Sequence, residues 1–248
     1  MNLIQGDCLE KLKELENNSI DLLFCDLPYG ETSCKWDCKI DLVKFWEEIN
    51  RVCKITTPMF FTCSTKFGNT LINSNPKNFR YDLVWKKTKA CGFLLSRKMP
   101  IRKHELIYVF YRKLPLYDIS NHKYFVVNGE IKKPKKENLD YTTEDSVYGL
   151  DIATGYKKLN KISTPGAYYN PPLPNSILEI ASERGKHPTQ KPVELIEWIL
   201  KYYSKEGDVV LDPTMGSGST GVACKNLKRE FIGIELDEKY YNIAVSRV

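Results

Sequence analysis

Residues 212–221 read Asp212-Pro213-Thr214-Met215-Gly216-Ser217-Gly218-Ser219-Thr220-Gly221. The apolar run at 209–211 precedes them and a helical stretch to about Leu227 follows. Gly216, Gly218 and Gly221 fit G-x-G-x-x-G, and Glu235 stands nineteen residues beyond Gly216, at the end of the next strand, 231–234. Glycines there let the backbone turn tightly and let a ligand approach. An acid ending the following strand can take both hydroxyls of a ribose. The order strand, loop, helix, strand, acid predicts an α/β fold with a nucleoside-containing cofactor. A plain glycine-rich turn would leave Glu235 without a purpose.

Two features count against a dinucleotide. Asp212 sits between the strand and the glycines, where it would repel a pyrophosphate and better suits a cationic group such as an α-ammonium. After Glu235 only thirteen residues remain, enough for one helix and no further strand. A doubly wound sheet then needs its next strand from elsewhere, and residues 2–5 offer one. The chain therefore reads as circularly permuted, with Asp7, at the end of that first strand, reaching the cofactor's adenine.

The second informative stretch is Asp26-Leu27-Pro28-Tyr29-Gly30, after the apolar run 20–25. An ionised carboxylate only accepts hydrogen bonds, and a tyrosine ring is a flat stacking surface. Together they suit a flat heterocycle bearing an amino group. Asp, Pro and Gly are also turn residues, so a strand-ending turn stays open on these five residues alone.

Between these stretches, helices are expected at 41–54 and 66–73, and strands at 58–63, 81–86 and 105–111. Residues 31–40, with Trp36, read as a loop over a site. From 113 to 186 periodicity fades and prolines and tyrosines punctuate short runs, which reads as an inserted module. Order returns at His187-Pro188-Thr189-Gln190-Lys191-Pro192, ahead of a helix over 193–204. A last helix is expected at 237–248. The expected organisation is thus 1–112 and 187–248 as two parts of one α/β domain, with 113–186 inserted.

The 248 residues carry a net charge of +6. Its distribution is uneven: Arg80 to Lys113 holds ten basic side chains against Asp82 and Glu105, so this segment carries +8 and the rest −2. Interleaved with Trp85, Phe93 and Tyr108, such a run suits a polyanion such as nucleic acid. The eight cysteines are scattered, and only Cys34 and Cys38 sit close, so reduced thiols and no metal site are expected. No apolar run reaches the roughly 18 residues of a membrane span. The amino terminus lacks the basic and apolar regions of a secretory signal, so a cytoplasmic location with no membrane partner is expected.

Six blocks in order resemble the amino-methylating DNA methyltransferases of the permuted β group. They are GDCLE from Gly6, DLPYG from Asp26, the run from Arg102 through His104-Glu105 to Phe110, HPTQKPVEL from His187, DPTMGSGST from Asp212 and IGIELDEKYY from Ile232. The resemblance implies a Rossmann-like S-adenosylmethionine-dependent methyltransferase fold, mostly parallel and doubly wound, with residues 113–186 as an inserted target-recognition region. It implies S-adenosyl-L-methionine as methyl donor and double-stranded DNA as substrate. Asp26, Leu27, Pro28 and Tyr29 become the catalytic set. Asp7, Cys8, Lys191, Asp212, Thr214, Gly216, Gly218, Ser219, Thr220 and Glu235 become the cofactor-binding set. Within it Asp7 is assigned to the adenine, Glu235 to the ribose, Asp212 to the methionine end, and Lys191 to its carboxylate.

The amine of a flipped-out base would donate to the Asp26 carboxylate and the Leu27 carbonyl, and Tyr29 would stack on the base. Asp at the head of this motif points to N6 of adenine. N4 of cytosine and an RNA adenine remain alternatives, as do an NAD-dependent oxidoreductase and a non-enzymatic nucleic-acid-binding protein. A homodimer and a partner restriction endonuclease are both compatible with the family. Two letters depart from its usual pattern. Leu27 replaces a proline and is expected to matter only through its carbonyl. Thr214 replaces a phenylalanine, which removes an aromatic neighbour of the cofactor. His104 and Glu105 are expected to be structural. Phosphate contacts are expected from residues 86–103 and base contacts from 113–186.

Overall fold

The computed structural model describes residues 1–28, 40–91, 93, 96–126, 167–183 and 190–248. Tyr29, Trp36, His187 and the lysines around Pro134 lie outside them. In chain order the elements are β1 (Asn2–Gln5), α1 (Cys8–Leu12), β2 (Leu22–Cys25), α2 (Leu42–Val52), β3 (Met59–Cys63) and α3 (Thr65–Ser74). Next come β4 (Phe79–Cys91), β5 (Arg102–Phe110), β6 (Lys123–Val126), β7 (Ala167–Asn170) and β8 (Ile177–Ile180). The chain closes with α4 (Val193–Tyr203), β9 (Val209–Asp212), α5 (Ser219–Asn226), β10 (Glu230–Glu235) and α6 (Glu238–Arg247).

These residues divide into two compact units, 1–118 with 175–248, and 119–174. In the smaller unit β6 and β7 pair antiparallel, and the His122 ring nitrogen Nδ1 lies 2.9 Å from the Pro171 carbonyl. The larger unit is built on one eight-stranded sheet in the order β1-β10-β9-β2-β3-β5-β4-β8. β1 pairs parallel with β10, so the first strand of the chain lies beside the last and the sheet is permuted as expected. Within this sheet, among the described residues, only the β3–β5 and β5–β4 pairs are antiparallel.

Alternation along β2 explains how the sheet holds its helices. Leu22 and Phe24 enter one core with Leu195, Ile196 and Ile199 of α4, whereas Leu23 and Cys25 enter the other with Phe45, Trp46 and Ile49 of α2. β2 and β3 are buried on both faces, which is why they read as continuous apolar runs. Full burial of a side chain such as Phe24 or Phe60 stabilises the fold by about 1.5–3 kcal/mol. Asp7, Asp41, Ser64 and Asp237 cap α1, α2, α3 and α6 by accepting first-turn amide hydrogens.

The structure departs from the sequence expectations in three places. The strands expected at 81–86 and 105–111 fall in longer strands, 79–91 and 102–110, whose last rung pairs Cys91 with Arg102. Residues 177–180, expected in the inserted module, pair parallel with β4 at the sheet edge. Leu178 and Ile180 bury one face of that strand, and a four-residue alternation is too short to stand out in an irregular region. Trp85 and Tyr108, read as aromatics among the basic residues, are core side chains. Trp85 donates its indole hydrogen to the Ile180 carbonyl at 2.9 Å. Among the three aromatics only Phe93 is exposed.

Candidate active site

Asp7, Asp26, Asp212 and Glu235 all stand at carboxyl ends of parallel strands, so the topology brings four acids to one edge of the sheet. The chain winds from β9 towards β10 and from β2 towards β3, in opposite directions. The crevice between β9 and β2 is thus a topological switch point, where open α/β sheets bind ligands. A cavity of about 500 Å³ opens there. Asp26, Leu27 and Pro28 line it together with Asp7, Cys8 and Lys191. So do Asp212, Thr214, Gly216, Ser219, Thr220 and Glu235. Tyr29 lies outside the described residues.

Asp26 is gripped from two sides. Its Oδ1 accepts the Thr62 hydroxyl of β3 at 2.5 Å and its Oδ2 accepts the Lys191 ammonium at 2.6 Å. Lys191 is buried, and Glu105 Oε2 lies 3.7 Å from the same ammonium. Burial alone would pull this lysine's pKa down, but Asp26 and Glu105 outweigh it and the pKa is raised. Lys191 is therefore a cation. Expected beside the cofactor's carboxylate, it is committed in this structure to the acid of the DLPYG motif. Glu105 in turn pairs through Oε1 with Lys87, whose ammonium lies over the Trp85 ring at 4.8 Å from its centroid. Glu105, expected to be structural, belongs to the cavity wall. The backbone ahead of Lys191 is held by Glu183, which accepts the Gln190 side-chain amide at 2.8 Å and the Val193 amide at 2.9 Å. That carboxylate replaces the side-chain cap that Pro192 cannot give α4.

The Leu27 side chain is buried among residues of α1–α3 and the sheet. Its role is therefore not confined to the carbonyl: the motif's odd letter also fills the core.

The glycine loop is shaped by its own acids. Asp212 accepts the Thr214 amide at 3.1 Å and the Thr220 hydroxyl at 2.5 Å. Burial pushes its pKa up to about 7, against those two bonds, which lower it. Glu235 accepts the Gly216 amide at 2.9 Å and the Asp237 amide at 2.8 Å, and burial raises its pKa as well. Gly218 has φ +77°, and an added Cβ would lie 2.9 Å from the Ala244 Cβ of α6. It faces that helix and is absent from the cavity lining, so its part in the site is to let the loop pack. A Cβ on Gly221 would meet Val248 at 2.6 Å and the Phe231 ring at 2.8 Å, so this glycine too allows close packing of α5 on the sheet. Asp7 accepts the Leu9 amide at 2.8 Å, and the Cys8 thiol is pushed up to about 12 mainly by burial.

The residues fit a nucleoside bearing a cationic end. Glu235 and Asp7 offer acceptors at strand ends, and Asp212 is an acid whose burial a cation would relieve. The Ser219 hydroxyl, at the start of α5, is buried without a hydrogen-bond partner among the described residues. A ligand acceptor in the cavity would satisfy it.

Comparison with known proteins agrees with this architecture. A family model described as DNA methylase, for N6 and N4 enzymes, matches residues 20–246, and the chain belongs to that family. It is a DNA methyltransferase that uses S-adenosylmethionine. The type II methyltransferase M.HinfI of Haemophilus influenzae is 29% identical over 276 aligned residues, covering 99% of this chain and 67% of that protein. M2.DpnII of Streptococcus pneumoniae is 55% identical over 64 residues, 26% of this chain and 24% of its own length. The crystal structure of an M1.HpyAVI–SAM complex superposes with a TM-score of 0.63 at 23% identity, over 100% of this chain and 99% of that one. The cytosine-N4-specific PvuII DNA methyltransferase superposes with a TM-score of 0.65 at 16% identity, over 99% and 85% of the chains.

Proposed function

We propose that the chain methylates the exocyclic N6 amine of adenine in double-stranded DNA. The observation that carries this reading is Asp26 at the head of the DLPYG motif, its carboxylate in the cavity wall across the switch point from Asp212. A carboxylate has about four acceptor positions, so the grip of Thr62 and Lys191 is compatible with a further bond from an amine. S-adenosylmethionine supplies an electrophilic methyl group when bound. An amine conjugated to a ring is a poor nucleophile, and hydrogen bonds to Asp26 and the Leu27 carbonyl favour a more tetrahedral nitrogen. Positioning and electrostatics then supply most of the rate. Asp7, Glu235 and Asp212 hold the cofactor's adenine, ribose and methionine end, and Ser219 donates to it.

The exposed basic side chains Lys89, Arg97, Lys98, Arg102 and Lys103 contact phosphates, and Arg102 does so at the cavity rim. Base contacts come from residues 113–186, within which the compact unit 119–174 lies. The test is incubation with labelled S-adenosylmethionine and unmethylated duplex DNA, followed by nucleoside analysis. Label in N6-methyladenine is expected. Label in N4-methylcytosine overturns the choice of base, and label in RNA alone overturns the choice of substrate.

A further inference from the structure

A chain of alternating charge runs behind the DLPYG acid. Lys87 pairs with Glu105 Oε1, Glu105 Oε2 lies 3.7 Å from Lys191, and Lys191 lies 2.6 Å from Asp26. The two lysines are the less exposed members, with side chains 11% and 9% exposed. Two cations and two anions balance, which is the condition for keeping such groups out of water. Lys87 is on β4, Glu105 on β5, Lys191 two residues before α4, and Asp26 just after β2. From this geometry we propose that Glu105 is a positioning residue for methyl transfer, acting through Lys191 on Asp26. The inference rests on Asp26 being the acceptor for the target amine.

The argument is one of competition. An ammonium 2.6 Å from Oδ2 holds the Asp26 carboxylate in place, and it also draws on the electron density that the target amine must share. Glu105 takes part of that ammonium's field, so Lys191 orients Asp26 without monopolising it. With Glu105 neutral, Lys87 and Lys191 lose the carboxylate between them. Lys191 then keeps Asp26 at 2.6 Å without the counter-pull of Glu105, and the hydrogen bond to the amine weakens. The effect falls on the transferring complex, because the amine arrives with the DNA and not with the cofactor. It therefore lowers kcat and leaves cofactor affinity unchanged.

The test uses the full chain with duplex DNA and four variants: Glu105→Gln, Lys191→Met, their double, and Asp26→Asn. Glu105→Gln is expected to lower kcat about tenfold, the size of one charge-assisted hydrogen bond, with the Kd for S-adenosylmethionine within about twofold of the parent. In the Lys191→Met background the same change is expected to add less than about twofold, because the residue it acts through is gone. Full additivity of the two, a parental kcat, or a loss expressed in cofactor affinity alone overturns the proposal. If Glu105→Gln does not fold, Lys87→Met/Glu105→Gln removes one charge of each sign and carries the same measurement. Asp26→Asn separates the two levels. Parental transfer by Asp26→Asn sinks the parent reading of Asp26, whereas loss there with a parental Glu105→Gln sinks only the role of Glu105.

Discussion

The Thr214 hydroxyl donates to the Asp26 carbonyl oxygen at 3.1 Å and lies 3.4 Å from the Cys25 sulfur. This bond crosses the crevice between β9 and β2 and joins the glycine loop to the acid motif. In sequence terms Thr214 is a missing aromatic. In the structure it is a strut between the glycine loop and the acid motif across one cavity. Thr214→Val keeps the shape and removes the donor. A net loss of about 1 kcal/mol is expected, read as a roughly fivefold lower kcat. Thr214→Ser, which keeps the hydroxyl, restores most of it. Steady-state kinetics on both variants decide the matter, and a Thr214→Val enzyme changed only in cofactor Kd would assign the hydroxyl to the cofactor.

The Lys191–Asp26 pair changes what an alanine at Asp26 reports. Removing one partner of a buried ion pair leaves the other uncompensated, with typical losses of about 3–5 kcal/mol. Glu105 at 3.7 Å offsets part of that here. Asp26→Ala is therefore expected to lose stability as well as transfer, and Asp26→Ala/Lys191→Met to regain stability without activity. Denaturant unfolding of the two proteins tests this. Equal stability of Asp26→Ala and the parent would mean Lys191 finds water or another partner.

The features legible in the sequence were those written locally. The glycine spacing and Glu235 specify a nucleoside-binding α/β unit, and β1 lies beside β10 in a permuted sheet. Contacts between distant residues were not legible: Lys191 and Asp26 stand 165 positions apart, and nothing in either motif names the other. The burial of Trp85, by contrast, is written locally. Leu83 and Trp85 are buried while the residues on either side of Trp85 are not, a two-residue period that was available. The surrounding lysines overlay that period with charge. Glu105 was visible as part of a motif, but only the fold shows that its carboxylate faces a lysine 86 positions later.

Gly218 offers a test of the loop that does not depend on activity. At φ +77°, with the Ala244 Cβ only 2.9 Å from where its own would be, an alanine meets both backbone strain and overlap. Gly218→Ala is expected to destabilise the fold by about 1–3 kcal/mol, with Gly218→Ala/Ala244→Gly recovering the part due to overlap. Denaturant midpoints of the three proteins measure it. A midpoint equal to the parent's would show that α6 shifts freely.

Asp212 predicts how stability and cofactor affinity depend on pH. Its carboxyl titrates near 7 in the fold, raised mainly by burial, against 3.8 for the ordinary side chain. An acid raised on folding contributes stability that is fully present below pH 3.8. That stability is lost as pH rises through about 7, because the unfolded chain ionises first. The span is on the order of 4 kcal/mol. Asp212→Asn removes this group's titration, so its stability should vary less between pH 5 and pH 7.5 than the parent's. A cationic group bound beside Asp212 favours the ionised form. Binding of S-adenosylmethionine to the parent should therefore tighten as pH rises from 6 towards 8 and release a proton. Calorimetry in phosphate and in Tris reads that release as a difference in apparent binding enthalpy. The difference should vanish in Asp212→Asn, and buffer-independent enthalpies in the parent would remove Asp212 from the methionine end.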